Sequence, residues 1–187
     1  MPGRTPYQAF EAFVAPLETA LCCIATVKFQ CSAGGKAEVL PVDGAADHQL
    51  FVNNDTYIEL RGPSKLTLKV RMRYKIIEDS RESYGPYRVT TKAYIYSLQD
   101  SGGQAMLDYH WHPTGQSDEV RPHLHLGATQ LTEGAVLSRK THVLTGRVTL
   151  EDVIRMAIRL GATPVVPNWE DRLTSTESPH KLYRSWC

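Results

Sequence analysis

The chain has 187 residues, a formal net charge of +1 and 22% charged residues. This length suits one domain with a continuous apolar core. Hydrophobic residues at 42% and a mean hydropathy of −0.32 exclude a disordered or fibrous chain. No window approaches about 18–20 uncharged apolar residues, so no membrane span is expected.

The N-terminus lacks a secretory layout, because Glu11, Pro16 and Glu18 interrupt its apolar stretch. Cytoplasmic residence is therefore expected. Cys22, Cys23, Cys31 and Cys187 have no Cys-x-x-Cys spacing, and free thiols are the expectation.

Residues 7–22 predict a helix with Phe10, Phe13, Val14, Leu17 and Leu21 on one face and a kink at Pro16. Residues 23–30 read as a strand, followed by a turn in CSAGGK. The loop-rich stretch 32–56 holds two short strand candidates, 38–42 and 49–53. From 57 to 127 the pattern is strand after strand, at 57–61, 65–77, 87–98, 105–112 and 122–126. The loop EDSRESYGP separates the second and third of these, and the hairpin signal QDSGGQ the third and fourth. Short connections of this kind imply an antiparallel sheet.

Thr149-Leu-Glu-Asp152 is a capping box that opens a helix over about 149–160. Leu150, Val153, Ile154, Ala157 and Ile158 recur at helical spacing, and Gly161 with Pro164 stops it. The tail 168–187 is polar, with Trp169 and Trp186 as anchors. The sum is a single α+β domain over 1–187. It comprises a helix and loop-rich part (1–56), an antiparallel sheet core of five or more strands (57–127), a helix (149–161) and a tail.

Side chains alternate across a strand. Leu66, Leu68, Val70, Met72, Tyr74 and Ile76 therefore share one face, and Lys65, Thr67, Lys69, Arg71, Arg73 and Lys75 the other. Five of those six polar positions are basic. Such a face is either ordinary solvated surface or one built for polyanions. On the next strand Val89, Thr91, Ala93 and Ile95 are expected inward, and Arg88, Thr90, Lys92, Tyr94 and Tyr96 outward. Cations interleaved with rings suit single-stranded RNA, although the two tyrosines could equally lie under a helix.

Two His-x-His pairs follow, His110/His112 and His123/His125, each placing both imidazoles on one strand face. If the strands are neighbours, four histidines meet; His142 is close by in sequence. One chemistry is metal-free RNA cleavage. One imidazole takes the 2′-hydroxyl proton, a second protonates the leaving oxygen, and a cation steadies the phosphorane. His123 and His125 are the first candidates for that pair, with His110 and His112 as orienting groups or the alternative pair. Lys69, Arg71, Arg73, Lys75, Arg88, Lys92 and Arg121 would hold phosphate, and Tyr94 and Tyr96 would stack on bases. No cofactor or metal is expected on this reading.

The other chemistry is a cupin-like metal site built from the same imidazoles, with only Asp108 and Glu133 as nearby carboxylates. A third alternative is a non-catalytic module that binds RNA or an acidic protein. The histidine-triad nucleotide motif fails because Gly127 stands where its next histidine belongs, and no phosphate loop or nucleophile elbow is present.

The order YRVTTKAYIYSLQD, MLDYHWHP, RPHLHLG, GRVTLEDVIRMAI, from Tyr87 to Ile158, resembles the TumE-type toxins of bacterial toxin–antitoxin pairs. The resemblance implies a small α+β protein with a basic antiparallel sheet, a ribonuclease-like activity at His110, His112, His123 and His125, and a helix-turn-helix antitoxin as partner. This chain carries Leu-Asp-Tyr-His at 107–110, where that family shows an Arg-Tyr-Asp-Asn-like sequence. Homo-oligomerisation is left open.

The neutral total conceals an uneven distribution. From Arg61 to Lys92 there are nine Lys/Arg against three Asp/Glu, and the remainder is acidic. A net charge of +1 therefore does not exclude a nucleic-acid partner.

Overall fold

The computed structural model describes residues 2–32, 36–79, 85–114 and 118–183. The core of the CSAGGK turn, most of the EDSRESYGP loop, Trp186 and Cys187 lie outside them. Helix α1 (Pro6–Leu21) starts where the Thr5 hydroxyl accepts the Gln8 N–H at 3.1 Å, with Pro6 in the first turn. It runs through Pro16 and buries Phe10, Phe13, Leu17 and Leu21.

Nine strands follow among the described residues: β1 (Pro2–Gly3), β2 (Phe29–Cys31), β3 (His48–Val52), β4 (Ile58–Glu59), β5 (Thr67–Glu78), β6 (Tyr87–Gln99), β7 (Ala105–Trp111), β8 (His123–Leu126) and β9 (Val143–Leu144). They form one antiparallel sheet in the order β2-β3-β5-β6-β7-β8-β9. β4 pairs with β5, and β1 with the start of β6. Helix α2 (Leu150–Arg159) carries the expected reciprocal cap between Thr149 and Asp152. The α+β fold, the antiparallel sheet and the two expected helices are thus present. No helix among the described residues is long and apolar enough to cross a membrane. The thiols of Cys22, Cys23 and Cys31 are free.

Three local expectations differ from the structure. Residues 23–28 form a turn and extended chain, and only Phe29–Cys31 pairs as a strand. The 38–42 candidate reduces to one bridge, Val39 to Ile76. The tail forms a third helix, α3 (Trp169–Tyr183), which buries Leu173 and sets the His180 ring edge-on to Phe13 at 5.6 Å.

Helices α1 and α2 pack on one face of the sheet, over Leu68, Val70, Met72, Tyr74, Tyr94, Tyr96, Tyr109 and Trp111, and α3 packs against both of them. Tyr94 and Tyr96 break the expected pattern on β6, whereas Tyr109 and Trp111 take the apolar face of β7 as expected. Arg73 pairs with Ala93 but Tyr74 pairs with Thr91, so Lys92 is an extra residue in the ladder. This β-bulge reverses the faces of everything after it. Val89 and Thr91 point to the helices as expected, but beyond the bulge Tyr94 and Tyr96 do so as well. They are 4% and 1% exposed and stack at 4.8 Å, and the Tyr94 hydroxyl accepts the Val148 N–H at 2.9 Å. They cannot stack on bases, and Ile95 takes the opposite side instead.

The face away from the helices is the open face. At its β5 end the 41–47 segment folds over Lys75, which is 1% exposed. Its ammonium donates to the carbonyls of Pro41 (2.8 Å), Val42 (3.1 Å) and Gly44. Lys75 therefore cannot reach a phosphate. A buried ammonium needs this many acceptors to offset its lost hydration.

Candidate metal centre

The histidines reach the open face through two short devices. In the 99–104 turn the Asp100 carboxylate accepts the N–H groups of Gly102 (2.9 Å) and Gln104 (3.0 Å), and Gly103 supplies φ +73. That turn, with a one-residue shift at Met106 just beyond it, leads into the β6–β7 register in which Arg71, Ile95, His110 and His123 lie in one cross-strand row. The next row holds Lys69, Ser97, Asp108 and His125. The second device is Gly127. A Cβ there would stand 1.5 Å from the Ala105 carbonyl oxygen, so only glycine lets the end of β8 close against β7.

The four expected histidines meet, and His142 joins them because β9, the next two residues, pairs with His123 and Leu124. Ring centroids are 5.6 Å apart for His110–His123, 5.1 Å for His110–His125 and 5.2 Å for His112–His123. His142 lies 4.6 Å from both His123 and His125. Two triads, His110/His112/His123 and His123/His125/His142, each bring three ring nitrogens within 4.8 Å of one another.

The tautomers are set from outside the cluster. His123 Nδ1 is 2.8 Å from the Arg121 carbonyl, and His125 Nδ1 is 3.3 Å from that of Arg139. A carbonyl only accepts, so each Nδ1 carries the proton and each Nε2 keeps its lone pair. His123 Nε2 is buried and has no hydrogen-bond partner among the described residues. Such backbone-anchored imidazoles are the usual outer shell of a metal-ligating histidine.

Burial, then the neighbouring imidazoles, pushes His110 down to about 4. Burial likewise leads the downward shifts of His123 and His125. At neutral pH these three rings are neutral, as a metal ligand must be. A general acid would need a proton held near neutral pH, and this environment opposes that. Asp108 stands next to His125 across the ladder, but its carboxylate accepts from the Ser97 hydroxyl. Glu133 lies in the exposed loop, outside both triads.

Most of the expected phosphate-binding cations have carboxylate neighbours. Lys69 and Arg71 each lie 3.4 Å from Asp55, and Arg73 and Lys75 lie 3.4 and 3.8 Å from Asp47. Arg88 pairs with Asp79 at 3.4 Å, at the β5–β6 end farthest from the histidines. Arg121 is held by Glu119 at 2.9 Å. Lys92, at the bulge, borders a separate groove against the 42–47 segment. Sequence reasoning missed His142 as a member of the cluster, and Asp47 and Asp55 as partners. Their positions depend on long-range pairing that no local spacing encodes.

Comparison of the chain with protein-family models, with curated proteins and with solved structures finds no match.

Proposed function

We propose that this protein binds one divalent first-row transition-metal ion on the open face of its sheet, through imidazoles drawn from His110, His112, His123, His125 and His142. The observation that carries this is the buried, acceptor-only Nε2 of His123 at the junction of the two triads. One locked imidazole offers one lone pair, so the triads are alternative ligand sets around a single ion, not two independent sites. An all-nitrogen set with no carboxylate in either triad favours zinc, iron, cobalt, nickel or copper over magnesium or calcium.

The test is metal analysis of full-length protein purified without chelators, followed by zinc titration. One ion per chain is expected. Fewer than about 0.1 per chain, with no zinc taken up at micromolar concentration, defeats the reading.

A second reading is metal-free RNA cleavage by a cytoplasmic toxin with a helix-turn-helix partner. It is supported by the shared row of Arg71, His110 and His123 and by the free thiols, which suit a reducing compartment. Generic RNA incubated with the protein separates the two. Cleavage that survives EDTA favours the nuclease. Cleavage that EDTA abolishes puts the reaction at the metal centre.

A further inference from the structure

Four cations on the open side of β5 share two carboxylates. Asp55 serves Lys69 and Arg71, and Asp47 serves Arg73 and Lys75. The row therefore keeps an excess of two positive charges. Lys75 is enclosed by backbone carbonyls, whereas the side chains of Arg71 and Arg73 remain 39% and 33% exposed. Both line a groove of about 430 Å³ that extends to His112, with Ala93 and Ile95 on its open-face wall. That volume is within the usual range for small-molecule sites, and the combination of apolar wall and few charged groups is typical of them. Gln49 fixes one guanidinium, accepting from Arg71 Nη2 at 2.7 Å. A planar guanidinium offers five donors, so one carboxylate and one amide neighbour leave donors over.

We infer that this groove takes a small organic acid, its carboxylate against Arg71 and Arg73 and its apolar body along Ala93 and Ile95 toward His112. The inference rests on the proposed metal centre only for what lies at the far end. The apolar wall favours an organic body over inorganic phosphate, and His112 in the lining places the non-carboxylate end beside the ligand cluster.

The probe is benzoate, titrated by calorimetry into zinc-loaded full-length protein. Benzyl alcohol, of similar size but uncharged, and inorganic phosphate serve as comparisons. Benzoate is expected to bind one per chain, at least about tenfold more tightly than benzyl alcohol. The double change Arg71→Gln with Arg73→Gln should bring the two to equal affinity while zinc stays at one per chain. In cobalt-loaded protein, benzoate should also shift the visible absorption.

Equal binding of benzoate and benzyl alcohol by the unmodified protein overturns the inference without recourse to any variant. Tighter binding of phosphate overturns it too. Zinc content is read before titration, so loss of the metal centre is recognised separately. Benzoate binding to the metal-free protein then decides the groove alone.

Discussion

His110 on β7 is the direct cross-strand partner of His123 on β8, their rings 5.6 Å apart and 71° from coplanar. His123 is the only residue shared by the two triads, so the ligand positions should not be equivalent. His123→Ala is expected to weaken zinc binding at least about a hundredfold. His112→Ala and His142→Ala, each removing a member of one triad, should cost about tenfold. Competition titration against a chromophoric chelator measures all three, and equal losses across them would contradict the shared-ligand arrangement.

The ion should also order the long connection that delivers His142. Arg139 and Lys140 are exposed in that segment, and the Arg139 carbonyl holds His125. Saturating zinc is expected to slow tryptic cleavage after Arg139 and Lys140 by about tenfold or more, because cleavage requires the segment to open. Mass spectrometry of a timed digest locates the cuts. Protection that is equal in the presence of EDTA would show that the loop does not need the ion.

On the helix side, Glu151 is 1% exposed, and neither carboxylate oxygen has a hydrogen-bond partner among the described residues. The nearby Thr176 hydroxyl donates instead to the Leu173 carbonyl at 3.1 Å. Burial pushes Glu151 up to about 7, with Glu177 and Asp152 adding to the rise, while Arg147 and His180 line the same small cavity. The folded state therefore holds this proton more tightly than the unfolded chain, whose carboxyl ionises near 4.5. Stability should fall as pH rises from about 4.5 to 7 and then level off, by roughly 3 kcal/mol at most. Glu151→Gln should remove that component. Thermal unfolding at pH 5 and pH 8 in EDTA, wild type against variant, reads it as a difference, and parallel behaviour of the two proteins would refute it.

Gly127→Ala should be costly despite its modest size. The added carbon cannot coexist with the Ala105 carbonyl, so the β7–β8 closure must open. About 3 kcal/mol of destabilisation in urea is expected. Zinc affinity should fall as well, since His125 lies two residues away on the displaced strand. A variant of unchanged stability would show that β8 yields without loss.

How much of this was readable beforehand follows from which signals are local. The alternation of β5 and the two His-x-His pairs have period two, and period two places side chains on a face without further information. The capping box at Thr149 is likewise complete within four residues. Helix α3 has few apolar positions and forms because Leu173 finds the core, which its own sequence does not announce. Asp47 and Asp55 approach β5 from loops more than ten residues away in sequence, so the basic stripe looked less neutralised than it is. Tyr94 and Tyr96 were misplaced by one extra residue, and no propensity marks Lys92 as that residue.

That extra residue gives β6 two reading frames. Up to Thr91 the odd-numbered positions belong to the core, and from Tyr94 onward the even-numbered ones do. Deleting position 92 would merge the frames into one regular alternation and leave both stacked rings under the helices. Exchanging its side chain would leave both frames intact. What position 92 supplies is the local bend and extra twist of β6, not the burial of its rings.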